Sequence, residues 1–328
     1  MFRAILVERA ADGTQSARVT ELAEASLPPG DVTVRISHST INYKDALGIT
    51  GKSPVLRAFP IVPGIDFAGV VEASMSPDFA PGDAVIGNGF GIGEATSGGL
   101  AELARVPLAG VVGLPPSLSP RNAMAIGTGG FTAMLAIIAL ERSGLTKERG
   151  PVLVTGASGG VGSFSVSLLA RLGYRVIAAT GRLAERDYLT RLGAAEIIAR
   201  EELSSPGKPL ARERWAAAID SLGSHTLVNA CAGTQRGGWV AACGLAQGMD
   251  FPATVAPFIL RGVSLLGIDS AVRTRAERET AWRRLAELAD PVWFNEVARD
   301  IGLAEAIPKA SELIDGKVRG RLVVDVKA

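Results

Sequence analysis

A run of small residues, Val152-Leu153-Val154-Thr155-Gly156-Ala157-Ser158-Gly159-Gly160-Val161-Gly162, constrains the fold more than any other segment of the chain. The first three residues predict a strand, a glycine-rich loop follows it, and the residues after the loop predict a helix that ends at Leu172-Gly173. Backbone N–H groups of such a loop and the N-terminus of the helix point at one place, which suits a pyrophosphate. Glycine lets the backbone approach the ligand closely. The segment predicts a dinucleotide-binding site, with a tight structural turn as the alternative.

The surrounding pattern indicates the fold of this half. From about residue 123, short β-branched runs alternate with helical spacers, with strands expected at 152–154, 175–179, 196–198, 217–220, 239–242 and 263–267. Helices are expected at 184–192 and at the charged, amphipathic segment 275–288. Strand and helix in repetition predict a doubly wound parallel sheet. We expect this α/β domain to span residues 123–294.

Residues 1–122 have the pattern of strands and turns. Val32, Val34 and Ile36 alternate with polar residues, so they should share one buried face. The tail, 321–326, alternates in the same way. We therefore expect a compact β-rich domain that comprises residues 1–122 and 295–328.

Charge and cysteine content exclude several functional classes. The 34 Lys and Arg residues balance 33 Asp and Glu residues, so there is no electrostatic footprint for nucleic acid or an acidic membrane. Two cysteines cannot form a disulfide framework. The longest uninterrupted apolar run, 133–140, is far shorter than the roughly 20 residues of a bilayer span. We expect a soluble cytoplasmic protein without nucleic-acid or membrane partners.

The second strand of the α/β domain bears on which dinucleotide is bound. An acidic residue about 20 positions beyond the loop would select NAD. Here the strand ends in Thr180-Gly181-Arg182, and Arg182 offers a guanidinium to a 2′-phosphate. NADP(H) is therefore favoured, and the alternative is that Arg182 is a solvated arginine in the first turn of the next helix.

The glycine loop also fits short-chain dehydrogenases, which require a Tyr with a Lys four residues later. The three tyrosines are Tyr43, Tyr174 and Tyr188, and the residues four positions beyond them are Leu47, Ala178 and Leu192. None of these is lysine, so we reject that class.

The order of the two domains resembles the medium-chain dehydrogenase/reductase superfamily. More specific stretches resemble its zinc-free, quinone-oxidoreductase-like branch and, within it, the bacterial NADPH-dependent acryloyl-CoA reductases: 42–45, 63–69, 81–83, 127–133, 241–245, 257–261 and 266–270. The resemblance covers essentially the whole chain. It implies a GroES-like catalytic domain, a Rossmann domain and hydride transfer from NADPH to the β-carbon of acryloyl-CoA. Alternatives are a reductase of quinones or other α,β-unsaturated carbonyls, and a non-catalytic NADPH-binding sensor or crystallin-like protein.

We expect no metal site. Zinc-dependent members carry Gly-His-Glu where this chain has Gly64-Ile65-Asp66, and His38 and His225 have no partners at ligand spacing. Chemistry without a metal requires hydrogen-bond donors aimed at the oxygen on which negative charge develops.

The resemblance also implies roles for individual residues. Tyr43, Asn42 and Asp66 are the catalytic candidates, although Asn42 capping a helix, Tyr43 packing in a core and Asp66 closing a turn are the ordinary alternatives. The cofactor candidates are Tyr43, Ser158, Gly159, Gly160, Val161, Thr180, Gly181, Arg182, Arg200, Leu245, Ile259 and Ser270. Coenzyme A phosphates would be bound by Lys52, Arg57, Lys317, Arg319 and Arg321. Strand 263–267 is expected to be an edge that pairs with its twin in a homodimer.

Overall fold

The computed structural model describes the backbone of residues 1–328 and all side chains except those of residues 291 and 292. The chain forms two compact units, here called unit 1, Met1–Thr128 with Ser270–Ala328, and unit 2, Gly129–Asp269. The strands are β1 Phe2–Arg9, β2 Gln15–Leu22, β3 Val32–Thr40, β4 Asp66–Ser74, β5 Ala84–Asn88, β6 Leu103–Val106, β7 Val111–Gly113, β8 Val152–Val154, β9 Val176–Thr180, β10 Glu196–Ala199, β11 Trp215–Asp220, β12 Thr234–Ala242, β13 Ser264–Gly267, β14 Ala298–Gly302 and β15 Arg321–Asp325. The helices are α1 Tyr43–Thr50, α2 Pro120–Arg142, α3 Gly160–Arg171, α4 Arg186–Arg191, α5 Ser224–Gly233, α6 Ala256–Arg261, α7 Arg275–Leu288, α8 Pro291–Val297 and α9 Ala306–Ile314.

Unit 1 is built on a seven-stranded sheet with the order β14-β15-β3-β4-β5-β7, and β6 pairs with β3. The apolar side of β3 is buried, since Val32, Val34 and Ile36 are inaccessible to solvent. The late strand β15 pairs antiparallel with β3 and parallel with β14. The alternation at 321–326 therefore does mark a return of the chain to its first domain.

The boundaries between the units differ from the expected ones. The sequence pattern predicts that residues 270–294 belong to the α/β domain, whereas in the structure they belong to unit 1. The physical reason is Arg278 on α7, a buried residue whose guanidinium donates to the backbone oxygens of Ala109 and Gly110 and to the Oδ1 atom of Asn88. A buried guanidinium needs such acceptors, and unit 1 provides them.

Unit 2 is a six-stranded, all-parallel sheet with the order β10-β9-β8-β11-β12-β13. The chain runs outward from β8 to β10, then returns to β11 and runs outward to β13 in the other direction. The carboxyl ends of β8 and β11 thus meet at the topological switch point, where such sheets bind ligands. The expected doubly wound sheet is confirmed.

Helix α2 extends well beyond the longest uninterrupted apolar run of the sequence, 133–140. Among the residues that the structure describes, it is the one helix that is long enough, at 23 residues, and contains a stretch apolar enough, with a mean hydropathy of 1.9, to match a membrane span. However, 89% of its most apolar window is buried inside the fold, as in a core helix. Its backbone also breaks at Gly127, where φ is 48° and ψ is −162°.

Candidate cofactor site and catalytic cluster

The glycine loop in unit 2 joins β8 to α3 by a tight turn. Gly159 caps α3, and its N–H donates to the backbone oxygen of Gly156 at 2.9 Å. A Cβ atom on Gly162 would overlap the oxygen of Gly156 and lie 2.6 Å from the Cα of Ala157. Only glycine fits there, so the first turn of the helix lies directly on the loop. The first N–H groups of α3 have no partner within the helix, which leaves them available to an anion.

A cluster of polar side chains follows at the end of β9. The hydroxyls of Ser158 and Thr180 are 3.0 Å apart. The guanidinium of Arg182 donates to the backbone oxygen of Ser158 at 2.9 Å and to its hydroxyl at 3.0 Å. A Cβ atom on Gly181 would lie 2.9 Å from the Cζ of Arg200, so that guanidinium packs against the glycine backbone. The guanidinium of Arg200 thus lies against Gly181 and that of Arg182 lies on Ser158, and both are groups that bind an anionic phosphate well.

The remaining cofactor candidates lie on other elements of the fold. Leu245 follows β12, and its Cα lies 3.3 Å from the position of a Cβ on Gly223, at the carboxyl end of β11. Leu245 and Ile259 are exposed apolar residues, which is compatible with a ligand-facing role. Ser270 is the first residue of the second segment of unit 1. Val161 lies in the first turn of α3.

The catalytic candidates lie in unit 1, around a buried carboxylate. Asp66 begins β4 and has 0% of its surface exposed. Its Oδ1 atom accepts from the hydroxyl of Thr128 at 2.6 Å, and its Oδ2 atom accepts from the N–H of Thr128 and the side-chain amide of Asn42, both at 2.7 Å. Both carboxylate oxygens are thus engaged within the protein. The catalytic role that the resemblance implies for Asp66 requires an accessible carboxylate, whereas its partners enclose it.

The segment 42–45 shows which of the alternatives applies to each residue. Asn42 is buried at the N-cap of α1, and its N–H donates to the Oδ2 atom of Asp45 at 2.8 Å. The amide oxygen of Asn42 accepts from Arg321 at 2.8 Å. Asn42 therefore occupies the N-cap position, and both ends of its amide are engaged within the protein. Tyr43, in contrast, is 38% exposed in the first turn and remains the accessible catalytic candidate.

The coenzyme A candidates divide into two groups. Arg321 is only 4% exposed, and its guanidinium donates to Asn42 and to the hydroxyl of Thr40, so its expected role as a phosphate ligand is wrong. Its charge instead lies 3.7 Å from Asp66. Lys52 and Lys317 are exposed, and both approach Asp315, at 3.7 and 3.1 Å. Arg57 is exposed and Arg319 is half-buried.

Sequence reasoning missed two members of this cluster, Asp45 and Thr128. Asp45 stands three residues after Asn42, which is the spacing of a capping box, and that pattern was a usable signal. Burial, together with the nearby charge of Asp66, raises the pKa of Asp45 to about 7, although hydrogen bonds from Asn42 and Ile65 oppose the shift. Burial lowers the pKa of Arg321, while Asp66 and Asp45 oppose that shift. No local pattern identifies Thr128, whose partner Asp66 is 62 positions away.

Zinc, which related dehydrogenases carry, does not fit these residues. Ile65 has no donor atom, and the oxygens of Asp66 already accept hydrogen bonds from Thr128 and Asn42. Within residues 1–290 and 293–328, no three His, Cys, Asp or Glu side chains are arranged to hold a metal ion. Cys231 and Cys243 are both in unit 2, and burial raises the pKa of each thiol to about 12.

Comparison with known proteins identifies the family. Residues 28–116 match the alcohol dehydrogenase GroES-like domain, and residues 160–287 match the family described as zinc-binding dehydrogenase. The chain is 47% identical to the acrylyl-CoA reductase AcuI of Ruegeria pomeroyi, over 100% of both chains. It is 48% identical to the yhdH oxidoreductase of Salmonella enterica, solved in complex with NADP, with a TM-score of 0.97 over 99% of each chain. For Escherichia coli YhdH with bound NADPH the identity is 47% and the TM-score 0.96, over 98% of this chain and 99% of that one. The chain belongs to the medium-chain dehydrogenase/reductase superfamily, in the subfamily of the acrylyl-CoA reductase AcuI.

Proposed function

We propose that this protein is an NADPH-dependent reductase that converts acryloyl-CoA to propionoyl-CoA. The observation that carries the proposal is the 47% identity to an acrylyl-CoA reductase over the full length of both chains. Arg182 and Arg200 support selection of the phosphorylated cofactor, and the accessible Tyr43 supplies a hydrogen-bond donor.

The residues of unit 2 fit NADPH. The turn at 156–160 and the N-terminus of α3 would hold the pyrophosphate. Arg182 and Arg200 would bind the 2′-phosphate, and the hydroxyls of Ser158 and Thr180 lie beside them. The bound cofactor supplies the hydride that the β-carbon of the substrate receives.

The contribution of unit 1 is electrostatic. As the β-carbon is reduced, negative charge collects on the thioester oxygen, and a donor aimed at that oxygen stabilises the enolate. The hydroxyl of Tyr43 is the accessible donor of the 42–45 segment, and we assign it this role. A proton added at the α-carbon completes the reduction. Lys52, Arg57, Lys317 and Arg319 remain our candidates for the coenzyme A phosphates.

The test is the loss of NADPH absorbance with acryloyl-CoA, crotonyl-CoA and a quinone in turn, and with NADH in place of NADPH. We expect the highest kcat/KM for NADPH with acryloyl-CoA, and one propionoyl-CoA formed for each NADPH oxidised. A higher kcat/KM for the quinone would favour the quinone reductase alternative. Turnover of none of the acceptors, with NADPH still bound, would indicate a non-catalytic binding protein.

We propose that unit 2 mediates a homodimer. Strand β13 is the edge of the six-stranded sheet, and Leu265 on it is exposed. Ile259 and Leu260, on the preceding helix α6, are also exposed. An unpaired apolar edge favours pairing with a second copy across a two-fold axis, which sedimentation velocity measures directly. We also propose a cytoplasmic location, because both cysteines are free thiols and the proposed reaction uses NADPH; cell fractionation tests it.

A further inference from the structure

Three ionisable side chains are buried together in unit 1, and none of them is a donor or acceptor in the proposed reaction. They are Asp45, Asp66 and Arg321, which are 2%, 0% and 4% exposed. Burying charges is unfavourable unless the groups are paired and hydrogen-bonded, and apolar residues of the same volume often stabilise a fold as well. A buried ionic group of this kind therefore needs an explanation beyond stability.

The cluster fixes Asn42 from three directions. Its side-chain amide donates to Asp66 at 2.7 Å, its amide oxygen accepts from Arg321 at 2.8 Å, and its N–H donates to Asp45 at 2.8 Å. Asn42 caps α1, and the next residue is Tyr43. The orientation of the turn that carries Tyr43 therefore depends on charges supplied by β4 and β15, which are distant in sequence.

The carboxylate of Asp66 also accepts a hydrogen bond from the backbone next to the break in α2. The non-helical conformation at Gly127 accompanies a Thr128 N–H that donates to Asp66, at 2.7 Å. A Cβ atom on Gly127 would overlap the Nη2 atom of Arg321 and lie 2.8 Å from the Oδ2 atom of Asp66. Because Gly127 has no side chain, Asp66 and Arg321 can lie directly against its backbone. Asp66 therefore holds both the break in α2 and the N-cap of α1.

We propose that Asp66 and Arg321 are positioning residues for the reduction, which hold Asn42 and so present the hydroxyl of Tyr43 to the substrate oxygen. The inference rests on the proposed function. It assigns Arg321, a residue expected to bind phosphate, to the geometry of the catalytic tyrosine. Misplacement of a reacting group by about 1 Å can lower turnover by about a hundredfold, which is the scale on which such residues act.

The experiment is a double-mutant cycle with Tyr43→Phe. Asp66→Asn keeps the volume and removes the charge, and Arg321→Met removes the guanidinium. We expect each to lower kcat at least about tenfold while the Kd for NADPH stays within about threefold. If both act through Tyr43, adding either to Tyr43→Phe will lower kcat by no more than about threefold further.

The matched control is Arg278→Met. Arg278 is another buried guanidinium of unit 1, bonded to Asn88, Ala109 and Gly110; the charge of Asp66 acts on it, but it makes no hydrogen bond to Asp66 or to the 42–45 segment. It should lower the melting temperature and leave kcat at the assay temperature within about twofold. If Arg321→Met does not fold, Thr40→Val removes one acceptor of that guanidinium and should lower kcat about threefold, again only when Tyr43 is present.

Two results would overturn the proposal. One is additive losses in the cycle, which would mean that the ion pair acts independently of Tyr43. The other is an equal loss of kcat in Arg278→Met and Arg321→Met, which would reduce the cluster to a stabilising role. Failure of the proposed function looks different, since the unmodified enzyme would then not reduce acryloyl-CoA at all.

Discussion

Replacing Gly127 with alanine tests the packing of the buried ion pair with a single methyl group. The backbone there, with φ at 48° and ψ at −162°, lies in a region almost confined to glycine, so a side chain costs about 1–3 kcal/mol of strain. The new Cβ would also overlap Arg321 and lie 2.8 Å from Asp66, and such overpacking costs about a further 1–3 kcal/mol. We expect the free energy of unfolding of unit 1 to fall by about 4 kcal/mol.

The matched control is Gly82→Ala, also in unit 1. Gly82 has φ at +100°, but a Cβ there would meet nothing within 4 Å. Gly82→Ala should therefore introduce backbone strain without overpacking, and its free energy of unfolding should fall by only about 1 kcal/mol. Urea unfolding followed by circular dichroism measures both variants, and turnover provides a second comparison, because only Gly127→Ala displaces the anchor of Tyr43. Losses of stability that agree within about 1 kcal/mol, with turnover intact in both, would refute the close packing of Asp66 and Arg321 on Gly127.

Three further predictions follow from the two units. Arg182→Ala should lower the kcat/KM preference for NADPH over NADH at least about tenfold, whereas Arg175→Ala, at the opposite end of β9, should leave it unchanged. The pKa of Asp45 is raised from 3.8 to about 7, so between these pH values the folded state retains a proton that the unfolded chain releases. The free energy of unfolding should therefore fall as pH rises from about 4 to about 7, by about 4 kcal/mol at most. Asp45→Asn should flatten that slope in urea titrations at several pH values; an unchanged slope would show that the group does not titrate. Leu265→Lys should convert the proposed dimer to a monomer in sedimentation velocity, while Val70→Lys, at a comparably exposed strand residue of unit 1, should not. Dimers in both variants would exclude β13 as the interface.

The parts of the fold that depend on neighbours in sequence could be predicted, and those that depend on distant pairing could not. Strand β8, its loop and α3 follow from one contiguous pattern, and the arginine at the end of β9 follows from spacing. Asp66 and Arg321 could not be placed, because Arg321 bonds to Asn42 across 279 positions. A charged residue near the end of a strand is usually exposed to solvent. Only the pairing of β15 with β3 shows that Arg321 is buried.

The division of the chain has a consequence for its synthesis. Unit 2 is a single continuous segment, 129–269, so all of its strands are synthesised before the second part of unit 1. Its parallel sheet can therefore assemble early, while β3 still lacks the strand that brings Arg321. During that interval Asp45 and Asp66 have no guanidinium to neutralise them. Folding of the tyrosine-bearing half thus waits for translation of residue 321, and nascent chains stalled before it should hold a protease-resistant nucleotide-binding domain beside a protease-sensitive N-terminal segment.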